Sequence, residues 1–358
     1  MLDRIFIYGN SLQKPIFAHL LNLPISYSQM TIDHDCTDTY TLTMEPTTIP
    51  VIYQDHHLLI VNKPAGLVIH PTYKHANGTM WDAILDYLED QGDDDWQPPE
   101  LPDDPEWAGA PVHVQVMFRE KRLERMWKED GLLPRPCLLH RLDKDTSGVV
   151  ALARTEHFRR HLIRQFHEHS IVKRYLTVVQ KGAPDWARPR APFMILKGQD
   201  VIAAMQFNSF TENSLDGENE FILDGALQRD PEDRRRCIVG ADGQQAQTVV
   251  KALAAEGEFA LLEARPVTGR THQIRAHLAA LGYPIVGDWT YAFHAEVGTP
   301  TAALKRQFLH AYSLEFRRYP DNALCTFVAP LANDLSVWLE RYFPVGLEVI
   351  HASKTLSS

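Results

Sequence analysis

The densest run of chemically capable residues in this 358-residue chain is His140-Arg141-Leu142-Asp143-Lys144-Asp145-Thr146-Ser147-Gly148, set directly before the apolar stretch Gly148 to Ala153. A carboxylate placed this way can attack a carbon or remove a proton. The same residues also suit a surface turn whose Asp side chains cap backbone amides. A second dense run extends from Arg265 to His277 and includes Thr268, Gly269, Arg270, Thr271, His272, Gln273 and Arg275. It spans a strand-to-helix turn whose N-terminal amides could hold an anion. It reads equally as the polar face of an amphipathic helix. The usual machinery of other reaction classes is missing. The chain has no Gly-x-x-x-x-Gly-Lys phosphate loop, no Gly-x-Gly-x-x-Gly turn, no His-Glu-x-x-His and no Gly-x-Ser-x-Gly elbow. His167-Glu168-His169 is the nearest approach to a metal cluster, but alternate residues on a helix point about 200° apart. No metal site is expected.

Strands and helices interleave around these runs. Val51-Ile52-Tyr53, the turn Gln54 to His57 and Leu58 to Val61 read as a hairpin. Lys63 to Gly66 reads as a turn, and Leu67 to His70 as another short strand. Gly148 to Ala153 has the length and apolarity of a buried strand. Thr155 suits a helix N-cap with Glu156 in the first turn. Phe158, Leu162 and Phe166 then recur at spacing four, with Arg159, Arg160 and Arg164 off that face. Val172 to Val179 and Phe259 to Ala264 read as strands. Thr271 to Leu281 reads as a helix with Ile274 and Leu278 inward and Gly282 as its stop. Residues 1–49 show no classifiable pattern.

Composition is that of a folded chain of about two domains or one large one: 44% hydrophobic and 23% charged. No apolar stretch is long enough to span a bilayer, and no secretory leader is apparent, so a cytoplasmic protein is expected. Cys36, Cys137, Cys237 and Cys325 lie far apart and suggest inert thiols. Net charge is −10, yet ten acidic residues and no Lys or Arg fall between Asp86 and Glu106, alongside four prolines. That segment reads as an exposed, weakly ordered insertion. Between Leu138 and Lys181, nine Lys and Arg oppose four Asp and Glu, and Arg234-Arg235-Arg236 forms a second basic knot. Screening confines each charge to about 8 to 10 Å, so an acidic chain can still present a basic face to phosphates.

His140 to Gly148 resembles the His-Arg-Leu-Asp-x-x-Thr-Ser-Gly signature of the RluA-type RNA pseudouridine synthases. The resemblance continues in order along about residues 50–332. It includes Tyr53 to Leu67, Lys173-Arg174-Tyr175, Ala246-Gln247-Thr248, Thr268 to His277, Gly282 to Asp288, and Gln307 to Ala311. It implies an α+β pseudouridine synthase fold: a bent, mixed, mostly antiparallel sheet with flanking helices and a central catalytic cleft. It implies isomerisation of uridine to pseudouridine in ribosomal or transfer RNA. By resemblance, Asp143 is the nucleophilic carboxylate, Tyr175 the ring against the flipped base, Arg275 the partner of Asp143, and Arg141 the side chain that fills the vacated stack. His140, Thr146, Lys173, Arg270 and His272 are expected to contact RNA.

The chemistry is consistent with those residue types. Moving the ribose link from ring nitrogen to ring carbon changes no oxidation state, so no cofactor is expected. An Arg beside the carboxylate keeps it ionised and aimed. The base must leave its stack, at a few kcal/mol, and an aromatic wall with an Arg plane offsets roughly 1 to 3 kcal/mol per base. The expected organisation is an N-terminal extension (1–49), a catalytic domain (50–332) with insertions at about 86–135 and 213–236, and a C-terminal segment (333–358). A monomer with no membrane partner is expected. The alternative is a catalytically silent RNA-binding protein on the same fold.

Overall fold

A computed structural model describes residues 49–70, 77–90, 132–198, 200–203, 210, 220–293, 296 and 298–355. The extension 1–48, most of the acidic insertion (91–131) and residues 211–219 lie outside the described residues. Among the described residues twelve strands form one sheet: β1 (Val51–Gln54), β2 (Leu58–Lys63), β3 (Leu132–Leu138), β4 (Ser147–Thr155), β5 (Val172–Gln180), β6 (Met194–Lys197), β7 (Asp200–Ala203), β8 (Glu220–Asp224), β11 (Gln247–Glu256), β12 (Phe259–Pro266), β13 (Leu309–Arg317) and β14 (Leu324–Val328). Its order is β1-β2-β4-β13-β5-β12-β11-β8-β6-β7, with β3 added to β4 and β14 to β13. Among the described residues only the β4–β13 pair is parallel, so the sheet is mixed and mostly antiparallel. A separate hairpin joins β9 (Leu227–Arg229) to β10 (Cys237–Val239).

The sheet is covered on both faces, and β4 shows why its sequence is almost continuously apolar. Val150 and Leu152 point into one core, while Val149, Ala151 and Ala153 point into the other. That is the period-2 geometry of a strand with no wet side. Helix α2 (Glu156–His167) lies on the second face. Its Thr155 cap accepts the Phe158 N–H, and Phe158 and Leu162 are fully buried. On the first face sit α1 (Met80–Asp90), α3 (Gln273–Ala280), α5 (Asn333–Tyr342) and α6 (Pro344–Thr355), with a short α4 (Pro300–Ala303) nearby. Leu335, Trp338, Leu339, Phe343 and Ile350 enter the same core, so the C-terminal helices complete it. Among the described residues no helix is long and apolar enough to cross a membrane.

Two local expectations are corrected. Leu67 to His70 is not a strand: the Val68 and Ile69 carbonyls accept the Met80 and Trp81 N–H groups and so cap α1. Asp86 to Asp90, expected in a loose insertion, is the last part of α1. Within the segment 213–236, Glu220 to Asp224 forms β8, whose alternating Phe221 and Leu223 are buried and which pairs with β11.

Gly148 fixes how closely β4 and β13 approach. It has φ of 121°, and a Cβ there would fall 2.1 Å from the Ala311 carbonyl oxygen. That oxygen belongs to a paired strand and cannot retreat. Gly148→Ala should therefore cost at least about 3 kcal/mol, read as a lowered denaturant midpoint or as loss of soluble protein. A wild-type midpoint would contradict the close approach.

Candidate active site

Asp143 sits in the turn entering β4, and the backbone carbonyls of that turn are all engaged. The Asp143 carbonyl accepts the Thr146 N–H at 3.1 Å. Buried Lys63 donates from Nζ to the Lys144 carbonyl at 2.7 Å, the Thr146 carbonyl at 2.9 Å and the Pro64 carbonyl at 2.9 Å. Gly66 N–H also donates to the Lys144 carbonyl. Arg306 donates to the Asp145 carbonyl at 3.1 Å and is itself held by Asp334. Gln307 donates to Thr146 Oγ1, and Leu142 is buried beneath the turn. The turn is thus a braced platform that carries the Asp143 carboxylate at the cleft. Burial lowers the pKa of Lys63 to about 7, with the carboxylates of Asp145 and Asp143 acting against that shift.

Arg275, on α3, reaches Asp143 Oδ2 through Nη1 at 3.0 Å. Its opposite edge is clamped by Asp288, with Nε to Oδ2 at 2.6 Å and Nη2 to Oδ1 at 2.8 Å. The Asp288 side chain is wholly buried and also accepts the Thr290 and Tyr291 N–H groups. Burial opposes the charge on Arg275, but the hydrogen bonds and field of Asp288, with the field of Asp143, more than offset it. Tyr291 lies against the guanidinium at 5.1 Å, and its hydroxyl is 3.2 Å from His272 Nδ1. The same hydroxyl ties into Cys237 of β10, accepting its N–H and donating to its carbonyl. His272 Nε2 is 3.8 Å from Asp143 Oδ2. Burial first, and Arg275 second, hold the His272 imidazole below its ordinary pKa.

Helix α3 was expected to have a polar face. It is instead buried on every side, from Gln273 to Ala280. Its polar residues are spent on attachment. Gln273 donates to the Gln247 carbonyl and Thr248 Oγ1, and accepts from Thr268 Oγ1 and the Arg270 N–H. His277, fully buried, bridges Thr248 Oγ1 and the Gly225 carbonyl at 2.9 and 3.0 Å. The carbonyl can only accept, so Nε2 carries the proton and Nδ1 accepts from Thr248. Burial lowers the His277 pKa to about 4. The unfolded chain then binds an extra proton between pH 6.5 and about 4. Stability is complete above pH 6.5 and falls through that window, by at most about 1.4 kcal/mol per pH unit. His277→Gln should flatten the pH dependence of Tm over this range; an unchanged slope would contradict a buried neutral ring.

All nine residues expected at the site line one cleft of about 760 Å³: His140, Arg141, Asp143, Thr146, Lys173, Tyr175, Arg270, His272 and Arg275. Their situations differ. Arg141 and Arg270 are exposed. Tyr175 is buried, and burial together with the Asp143 charge raises its pKa. Lys173 donates to the Thr268 carbonyl, and burial lowers its pKa to about 8. His140 accepts the Ala151 N–H on Nε2, and burial lowers its pKa to about 3, so it enters as a neutral ring fixed to β4. Thr146 is buried with its hydroxyl on Gln307, a place for holding the turn rather than for meeting RNA. Sequence reasoning missed Asp288, Lys63, Arg306, Tyr291 and Arg229. Asp288 and Lys63 stood inside quoted motifs, whereas Arg229 carried no pattern of its own.

The charge balance of the cleft is one-sided. Among the described residues, six Lys and Arg line it (Arg141, Lys144, Lys173, Arg229, Arg270 and Arg275) against the single carboxylate of Asp143. Such a pocket attracts a polyanion and presents the Asp143 carboxyl group to what enters.

Comparison with known proteins agrees. Residues 57–280 match the family model described as RNA pseudouridylate synthase. The chain is 30% identical over 340 residues to "RNA pseudouridine synthase 2, chloroplastic" of Oryza sativa subsp. japonica, covering 86% of this chain and 67% of that protein. It is 32% identical over 301 residues to "Ribosomal large subunit pseudouridine synthase D" of Xylella fastidiosa, covering 81% and 69%. It is 27% identical over 337 residues to the protein of the same name in Borreliella burgdorferi, covering 93% and 78%. The match over residues 57–280, joined to a basic cleft that carries the Asp143 carboxylate on a mixed, mostly antiparallel sheet, places the chain in the RNA pseudouridylate synthase family: it is an isomerase that converts uridine in RNA to pseudouridine.

Proposed function

We propose that Asp143 performs the chemistry, acting on the ribose of a uridine that has left its stack. The observation that supports this most is the 3.0 Å contact of Arg275 with Asp143, made by an arginine whose other edge is clamped by buried Asp288. Tyr175 forms the ring beneath the flipped base. Exposed Arg141, beside Asp143, fills the space the base leaves. His140, Lys173, Arg270 and His272 line the path of the strand, and Thr146 keeps the turn in place. Aromatic and guanidinium planes offset the unstacking of the target.

The substrate we propose is ribosomal RNA, because relatives in two bacteria carry that substrate in their names. Transfer RNA is the competing substrate. We further propose a cytoplasmic monomer, with residues 1–49 as an extension, 50–332 as the catalytic domain and 333–358 as a segment that completes its core. Incubating the purified protein with ribosomal and transfer RNA transcripts and mapping pseudouridine in each tests the substrate. New pseudouridine at a defined position of ribosomal RNA is expected. Modification of transfer RNA alone would overturn the ribosomal assignment.

A further inference from the structure

Resting on the reading of the cleft as a uridine site, we propose that the outward face of α2 is a track for the phosphate backbone of the RNA strand leaving that cleft. His157, Arg160, Arg164 and His167 recur at spacings of three, four and three, and all four are exposed. They form a single stripe down the helix, about 15 Å long at about 1.5 Å per residue. At about 3.4 Å of axis per phosphate on one strand, that length spans several phosphates.

The stripe is continuous with the cleft. Phe166 and His169, at the C-terminal end of α2, line the cleft wall. His169 has φ of 53° and lies 3.1 Å from the Val267 carbonyl, which joins this end to the run before α3. At the other end the His157 ring stacks on Tyr319, and His161 meets the Arg317 carbonyl, bringing exposed Arg317 alongside. Glu156 is withdrawn from the surface: it accepts from both Arg159 and Arg160, and its side chain is 12% exposed. Glu168, also exposed, stands between His167 of the stripe and His169 of the cleft wall, where cations and rings on either side outnumber it. The buried face, Phe158 and Leu162, already anchors the helix, so packing does not require these outward cations. A chain of net charge −10 does not need them for solubility either.

The test is RNA binding by Arg160→Gln/Arg164→Gln across a salt series, using a labelled RNA stem-loop with an all-uridine loop. Each lost phosphate contact should reduce the slope of log K against log salt by about 0.7 to 0.9. The double variant should therefore show a slope smaller by about 1 to 2, with KM up roughly tenfold and the loss in kcat/KM residing in KM. Arg160→Lys/Arg164→Lys should restore the slope. Arg188→Gln/Arg341→Gln, which removes two exposed charges elsewhere, should leave it unchanged. A wild-type slope in the α2 double variant, an equal fall in the Arg188/Arg341 variant, or a loss residing in kcat would each overturn the track. Absence of pseudouridine with the wild-type protein, alongside the predicted change in slope, would defeat the uridine-site reading and leave the RNA track standing.

Discussion

Arg275→Met should lower turnover by about a hundredfold or more and also destabilise the fold. The two effects have separate origins. Arg275 gives one N–H to Asp143 and two to Asp288. Without it, Asp143 loses the donor that aims it, and removing one such preorganised partner costs roughly 10² to 10³ in rate. Asp288 meanwhile becomes a buried carboxylate without its counter-ion, a change that costs about 3 to 5 kcal/mol. Arg275→Lys should recover part of the stability and little of the rate, because a point charge cannot span two carboxylates. Asp288→Asn separates the contributions further. It keeps the shape and the Asp143 contact but loosens the clamp, so the rate should fall less than in Arg275→Met. Single-turnover rates at saturating RNA, read beside thermal melts, check this. Wild-type turnover in Arg275→Met would show that the ion pair does not serve the chemistry.

Asp143→Asn should reduce product to the detection limit while RNA binding stays within a few-fold of wild type. The amide matches the carboxylate in shape but can neither attack a carbon nor take a proton. Binding should persist because phosphate contacts supply most of the affinity and the six cleft cations remain. The fold should persist too. The turn is held through its backbone carbonyls by Lys63, Gly66 and Arg306 rather than through the Asp143 side chain. Arg275 also keeps its two bonds to Asp288. The change in stability should stay within about 1 kcal/mol, and a melt together with an RNA titration of the same preparation reads both.

Elements whose residues act locally were legible in the sequence. Strand β4 announced itself by an unbroken apolar run, and α2 by its Thr155 cap and its Phe158–Leu162–Phe166 spacing. The turn that carries Asp143 stood out by charge density. What escaped depended on partners distant in the chain. Leu67 to His70 has strand-like residues, but its carbonyls are used to start α1. Helix α3 looked amphipathic because Arg275 and His277 are polar, yet each finds its partners inside the protein. Phe221 and Leu223 alternate over too short a stretch to reveal β8 before β11 is seen beside it. Asp288 is one acid among many until the fold places it against Arg275.

The central claim is that this protein makes pseudouridine in RNA through Asp143. Its most direct test is single-nucleotide pseudouridine mapping of ribosomal RNA from cells that lack the protein, cells given back the wild type, and cells given Asp143→Asn. At least one position should lose pseudouridine in the deletion, regain it with the wild type, and stay unmodified with Asp143→Asn expressed at the same level. Restoration by Asp143→Asn would contradict the claim.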